Sequence, residues 1–432
     1  MLKKFTAIAI IAIIAASFAA CNTNNGSSSQ ITQSSQTVTA AAEETTAAKA
    51  VDTAKSADSE VITTLAVTSN GKLDTGDMFT DRDLTQEADL TGAEKITLSD
   101  GQNVSITKAG VYILSGSAKN VTVTVEAADD DKVQLVLDGV TVTDTDSPCI
   151  YVKNADKVFV TTAGDNSLSV TGSFTADGET NTDAVIYSKD DIVLNGTGTL
   201  NISSTDNGVT SKDDLKITGG TINIECASDG LEANDSVAIA DGSITINSQK
   251  DGIHVENNDD NAKGYFYICG GTLNITAADD GIHATTVAQI DNGTITSNAA
   301  EGLEATYIQI NGGTLNISAS DDGINAANKS KSYEVAVEIN DGTITIKMGA
   351  GDTDGIDSNG NLYIRGGTID ITGQSPFDYD GQLEHTGGKL IVNGTETDEV
   401  TNQMMGGGMR GNRGGMPGGD MGGNMNGAPQ MR

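Results

Sequence analysis

Through the middle of this chain a carboxylate recurs in front of a glycine. Asp229-Gly230-Leu231, Asp251-Gly252-Ile253, Asp280-Gly281-Ile282, Glu301-Gly302-Leu303, Asp322-Gly323-Ile324 and Asp354-Gly355-Ile356 repeat one phrase, and Asn207 takes the acid's place one repeat earlier. The residue after the aliphatic is also titratable or polar: Glu232, His254, His283, Glu304, Asn325 and Asp357. Doublets at Asp279-Asp280 and Asp321-Asp322 add oxygens, and a second acidic edge runs through Asp190-Asp191, Asp213-Asp214 and Asp235. Recurring carboxylates can hold hard cations, share protons at raised pKa, or solvate Asp-Gly turns.

The spacing decides which elements must position these acids. The motif glycines fall 21 to 32 residues apart, most often 21 or 22. A fixed period of that size marks a solenoid. Each period holds three short alternating segments, as in Leu231-Glu232-Ala233, Ser236-Val237-Ala238-Ile239 and Ser243-Ile244-Thr245-Ile246, separated by Gly, Asn or Asp. Three strands per turn predict an all-β parallel β-helix, in which equivalent residues stack about 4.8 Å apart. The glycine is expected to supply a backbone conformation that side-chain-bearing residues avoid, leaving the acid on a sharp turn.

Stacked like charges cost roughly 1 kcal/mol per pair in water-like surroundings and about 3 to 4 at an effective dielectric of 20. Protonation or bound divalent cations would relieve them. Oxygen ligands favour Ca²⁺, with candidate ligands Asp229, Asp251, Asp279, Asp280, Glu301, Asp321, Asp322 and Asp354, joined by Glu232, Glu304, Asp357, Asp213 and Asp214. The glycine-rich nonapeptide of calcium-binding β-rolls is absent from the sequence. The plain alternative is a row of solvated turn residues.

Composition agrees with a narrow tube. Aromatics make up 4% with no Trp, Pro is scarce and Gly reaches 51, so Ile, Leu, Val and Ala must fill the interior. A formal net charge of −35 argues against nucleic acid, which needs clustered Lys and Arg. A monomer is expected.

The ends differ from the middle. Residues 1–20 carry Lys3-Lys4, an apolar run and Ser17-Phe18-Ala19-Ala20 before Cys21. This resembles a bacterial lipoprotein signal with Cys21 as the lipidated residue, although Phe18 stands where Leu is usual. An ordinary secretory peptide is the alternative; both imply export, and lipidation would hold the protein at the cell surface with membrane contact only through the lipidated N-terminus. Residues 21–76 read as a Ser/Thr/Ala-rich tether, 77–183 as an N-terminal cap and first coils, 184–400 as regular coils, and 401–432 as a disordered Met/Gly tail. Cys149, Cys226 and Cys269 form no zinc or CxxC spacing and read as buried small residues, with a Cys226–Cys269 bridge left open.

Aligning the second strands gives an outward column of Lys216, Ala238, Tyr267, Gln289, Gln309, Glu338, Tyr363 and Glu384, with Tyr265, Tyr307 and Arg365 nearby. Exposed rings and amides stack on and bond to sugars, and the Arg365 fork suits a uronate carboxylate. Tyr265, Tyr267, Gln289, Tyr307, Gln309, Tyr363 and Arg365 are therefore the candidate carbohydrate contacts. Insertions at 257–264 and 327–332 project from one edge as possible walls.

Phe79-Thr80-Asp81-Arg82-Asp83-Leu84, Ala109-Gly110-Val111-Tyr112-Ile113-Leu114-Ser115-Gly116 and the Asp-Gly-Ile/Gly-Gly-Thr repeats resemble the bacterial carbohydrate-binding domain-containing β-helix family over residues 77–392. The resemblance implies a right-handed parallel β-helix shaped like pectate lyases, bound calcium, and binding of cellulose or acidic polysaccharides such as polygalacturonate. The expected function is a surface-anchored, calcium-dependent, non-catalytic polysaccharide binder. A lyase would need a basic residue beside the metal, and the sequence shows only scattered Lys and Arg365. Paired carboxylates are too common here to single out a hydrolase. A structural or adhesive spacer is the third reading.

Overall fold

The computed structural model describes residues 73–351 and 353–402. Cys21, the signal, the tether up to residue 72 and the Met/Gly tail from 403 lie outside the described residues. No helix occurs among those described.

Each coil holds three strands. In one coil they are Leu231–Ala233, Ser236–Ile239 and Ser243–Ser248; in the next, Ile253–Val255, Tyr265–Ile268 and Thr272–Thr276. First strands pair only with first strands and build a 12-stranded parallel sheet. Second and third strands each build their own ladder, and the long Lys132–Asp144 strand joins both into one 24-stranded sheet. The register is unbroken through the repeats: Leu231 opposes Ile253, Val237 opposes Phe266, and Ile246 opposes Ile275. The molecule is a parallel β-helix.

Strand alternation fills the tube. Ile244 and Ile246 are fully buried beside the equivalent Leu273 and Ile275 of the next coil, each such side chain contributing roughly 1.5–3 kcal/mol on burial. Cys149, Cys226 and Cys269 are buried and none is in a disulfide, so the Cys226–Cys269 bridge is not formed. The C-terminal end closes with an antiparallel pair, Lys389–Val392 with Thr395–Thr397.

The motif glycines are there for a different reason from the one expected. None of Gly230, Gly252, Gly281, Gly302, Gly323 or Gly355 has positive φ. Instead a Cβ on Gly230 would fall 2.5 Å from the carbonyl oxygen of Gly252 and strike Ile246; coils approach too closely for a side chain. Positive φ belongs to the turn between second and third strands, as at Gly242 (φ 117) and Gly293 (φ 104).

Residues 73–87 depart most from expectation. They form no cap coil but run back along the outward face of the second strands. Leu73 donates its N–H to Gln289 Oε1 at 2.8 Å, Phe79 packs on Tyr267 with ring centroids 6.3 Å apart, and the Gln86 amide bonds the Thr218 carbonyl at 2.9 Å and receives the Gly196 N–H at 2.9 Å. Asp83, fully buried, is 3.5 Å from Lys157 Nζ and 3.7 Å from Lys216 Nζ. A segment that reads as tether and cap is a strap.

Candidate functional site

The strap corrects the predicted carbohydrate face. The second-strand column is in register, with Tyr267 opposite Gln289 and Gln289 opposite Gln309, but it is buried from Lys216 to Glu338, leaving Tyr363 half-buried and Glu384 exposed at its end. Tyr265, Tyr267, Gln289, Tyr307 and Gln309 are all buried; Leu73, Met78 and Phe79 pack with Tyr265, Tyr267 and Tyr307 in one apolar cluster. Tyr307 donates its hydroxyl to Glu338 Oε2, and the Gln309 amide donates to the same oxygen at 2.8 Å. Arg365 is already engaged: it pairs with Glu338, donates to Glu384 Oε1 at 2.9 Å and lies over the Tyr363 ring at 5.0 Å. The five buried side chains hold the surface together and are closed to a glycan, while Tyr363 stays half-buried and Arg365 exposed.

The carboxylate column stands as aligned, and its geometry explains the phrase. The acids sit at the turn from third to first strand, and Asp229, Asp251 and Asp322 accept the backbone N–H of their counterparts in the next coil. Asp229 Oδ1 accepts from Asp251 at 2.9 Å, Asp251 Oδ1 from Asp280 at 3.0 Å, and Asp322 Oδ1 from Asp354 at 3.1 Å; Asn207 Oδ1 begins the ladder by accepting from Asp229 at 3.0 Å. An amide oxygen serves as well as a carboxylate there, which is why Asn207 fits.

The remaining oxygens face the outward column of the first strand, where Glu232, His254, His283, Glu304, Asn325 and Asp357 follow in register. His254 Nδ1 is 2.6 Å from Asp251 Oδ2. His283 Nδ1 is 3.1 Å from Asp280 Oδ2 and 3.2 Å from Glu304 Oε2. The two imidazoles stack with centroids 4.8 Å apart. Lys250 reaches Asp229 at 2.9 Å, Lys212 reaches Glu232 at 2.9 Å, and Lys329, on the 327–332 insertion, reaches Glu304 at 2.7 Å. Lysines thus do stand beside the acids, contrary to the scattered placement expected. The other insertion walls a cleft of about 270 Å³ lined by Glu232, His254, Glu256 and Asn257.

Burial and like charge raise several acids. Burial, then Asp251 and Glu304, push Asp280 up to about 8; burial, then Glu304, push Glu301 to about 8. Asp357 rises to about 7 through burial and then Asp322 and Asp378, and Asp322 to about 6, chiefly through burial. On the second acidic edge, burial and a hydrogen bond with Asp235 raise Asp213 to about 8. Burial opposes the charged form of His254, but the bond to Asp251 outweighs it and its pKa is raised. Burial, Lys329 and His254 together lower that of His283.

Ligand atoms converge within 4.8 Å in four groups: Asp251/Asp279/Asp280, Asp213/Asp214/Asp235, Asp251/His254/His283 and Asp280/His283/Glu304. The first two are all-oxygen and fit a hard cation. Asp229, Asp321, Asp322, Asp354, Asp357, Glu232 and Glu301 join none of these groups among the described residues. Asp235 and the two histidines are additions; the histidines stood in the aligned column but were read only as column members.

The third-strand face was not anticipated. Thr221, Ser243, Thr272, Thr294, Thr314 and Thr343 form one in-register column, and Asn223, Thr245, Asn274, Thr296, Asn316 and Thr345 a second beside it. All are exposed or half-buried. Hydroxyls and amides thus tile a face that adjoins the acid corner and is neutral in these columns from Thr221 to Thr345, with charges only beyond them, at Asp370 and Lys389 further along the columns and at Glu225 and Lys347 further along the strands. The signal was the Thr-Ile-Thr/Thr-Leu-Asn phrase closing each repeat.

A parallel β-helix with a carboxylate–imidazole ridge and a neutral polar face is the class this architecture defines. The chain belongs to the carbohydrate-binding domain-containing protein family, whose model matches residues 100–352 and 302–412. A carbohydrate-binding domain-containing protein of Acetivibrio thermocellus (strain ATCC 27405) is 40% identical over 255 residues, spanning 55% of this chain and 87% of that protein. A solved structure described as a polysaccharide lyase-like protein from C. thermocellum, as a gadolinium derivative, aligns with TM-score 0.46 and 34% identity over 52% of this chain and 96% of that one.

Proposed function

We propose that the protein is an exported, Cys21-anchored, non-catalytic binder of polysaccharide, whose glycan lies along the coil axis on the third-strand face beside the acid corner. The carrying observation is the exposed Thr/Asn array, repeated coil after coil in register. Polar groups at one fixed spacing suit a polymer, which offers hydroxyls periodically, and each extra coil adds contacts along one ligand. Membership of a carbohydrate-binding family supports the same reading.

Calcium belongs to the proposal through the all-oxygen groups Asp251/Asp279/Asp280 and Asp213/Asp214/Asp235. A bound Ca²⁺ would offset the charge packed there and could coordinate uronate carboxylates as well, reconciling an acidic protein with an acidic glycan. Lys250, on the ridge, supports a non-catalytic role. Lys250 resists the effect of burial because Asp229 bonds it, and its pKa is raised; a lysine held as ammonium cannot abstract the proton that a lyase must remove.

The test is retention of the protein on insoluble cellulose and on immobilised polygalacturonate, with Ca²⁺ or chelator, for wild type and for Thr296→Glu/Asn316→Glu. Retention weakened roughly 10-fold or more by the double variant is expected, two lost contacts at about 1 kcal/mol each. Undiminished retention would move the glycan elsewhere. Unsaturated product from polygalacturonate would overturn the non-catalytic part.

A further inference from the structure

We propose that Asp280, His283 and Glu304 form a binding site for a borderline divalent ion of the Zn²⁺ class, distinct in chemistry from the all-oxygen calcium groups, although it shares Asp280 with one of them. The three come from adjacent coils: Asp280 and His283 lie at the turn and first strand of one, Glu304 on the first strand of the next. Their ligand atoms meet at one point. Asp280 Oδ2 and Glu304 Oε2 approach the same imidazole nitrogen, His283 Nδ1, at 3.1 and 3.2 Å. One N–H cannot serve two carboxylates well.

Those separations are what ligands sharing one ion show: bonds of 2.0–2.1 Å in a tetrahedral site place neighbouring ligand atoms about 3.3 Å apart. Two carboxylate oxygens and one imidazole leave a fourth position for water. Calcium takes oxygen ligands and has no use for the nitrogen, whereas imidazole suits zinc and its neighbours in the series.

The surroundings orient the ligands. His254 stacks on His283 at 4.8 Å and is itself held at both nitrogens, by Asp251 at 2.6 Å and Glu256 at 3.2 Å. The Lys329 ammonium, 2.7 Å from Glu304 Oε2, stands where a cation is wanted. Metal entry therefore moves this lysine aside and couples the 327–332 insertion to the ion.

The experiment uses the full chain without a histidine tag, Zn²⁺ as ligand and Co²⁺ as spectroscopic probe, and no glycan, so that its outcome is independent of carbohydrate binding. Wild type is expected to retain one equivalent of Zn²⁺ through dialysis, to give the intense visible absorption of low-coordinate Co²⁺, and to keep Zn²⁺ in millimolar Ca²⁺. His283→Gln should weaken Zn²⁺ by roughly 100-fold or more, while His385→Gln, off the ridge, leaves it unchanged; loss of a metal's outer-shell partner alone costs about 10- to 100-fold. Far-ultraviolet circular dichroism checks the fold of each variant. If His283→Gln does not fold, Lys329→Ala decides: it should tighten Zn²⁺ roughly 5-fold by removing the competing ammonium, about the factor set by one surface ion pair of 1 kcal/mol. Undiminished Zn²⁺ in folded His283→Gln, displacement by millimolar Ca²⁺, absence of retained Zn²⁺ on wild type, or no tightening in Lys329→Ala would each overturn the site.

Discussion

Leu73 donates its backbone N–H to Gln289 Oε1 at 2.8 Å across 216 residues of sequence, so the start of the described chain is fastened to the middle of the solenoid. From there the strap covers the tyrosines with Met78 and Phe79. Met78→Ala removes a side chain that is 1% exposed and should cost about 2–5 kcal/mol, the usual range for Met→Ala in a packed core. Thermal melting followed by tyrosine fluorescence checks it; an unchanged midpoint with quenched, covered tyrosines would show that the strap is not held by this contact.

The same cover makes a negative result informative. Tyr267→Leu should lower stability but leave glycan retention at wild-type level in the folded protein, because the ring is buried at 2% exposure. Loss of retention in a folded Tyr267→Leu variant would return the glycan to the second-strand face.

Stability should fall as pH rises in the absence of divalent cations. Asp280, Glu301 and Asp213 titrate near 8 and Asp357 near 7 in the folded protein, against about 4 in the unfolded chain. A carboxyl whose folded pKa is raised favours the folded state below the unfolded value and loses that contribution as pH climbs through the folded one. Melting midpoints in chelator should therefore be higher at pH 5 than at pH 8, and added Ca²⁺ should recover the difference at pH 8. A midpoint rising from pH 5 to pH 8 in chelator would contradict the buried-acid picture.

The ladder predicts a contrast between two replacements of one acid. Asp251→Asn keeps an oxygen for the Asp280 N–H and removes a charge, as Asn207 does naturally one repeat before Asp229. Asp251→Ala leaves that buried N–H without its acceptor, at about 1–3 kcal/mol. Chelator-treated Asp251→Asn should melt well above Asp251→Ala; equal midpoints would show the bond to be dispensable.

How far the sequence could be read depended on what periodicity encodes. Register, strand number per coil and the alignment of Asp229, Asp251 and Asp280 follow from alternation, since a one-residue slip would turn Ile244 and Ile246 outward. The strap does not repeat, and nothing in Phe79-Thr80-Asp81-Arg82-Asp83 states that it lies on Tyr267 and Lys216. Outward therefore passed for exposed. The motif glycine was visible but not its cause: only the coil separation shows that Gly230 is excluded from carrying a Cβ by the Gly252 carbonyl. Gly252→Ala, whose Cβ would lie 2.6 Å from the Gly281 carbonyl oxygen, should accordingly destabilise by about 1–3 kcal/mol, read as a drop in melting midpoint.

The central claim is a polysaccharide held on the neutral Thr/Asn face with calcium in the neighbouring acid corner. Equilibrium retention on polygalacturonate, measured for wild type and Thr296→Glu/Asn316→Glu with Ca²⁺ and with chelator, tests it most directly. The account predicts strong retention only for wild type with Ca²⁺; equal retention in all four arms would contradict it.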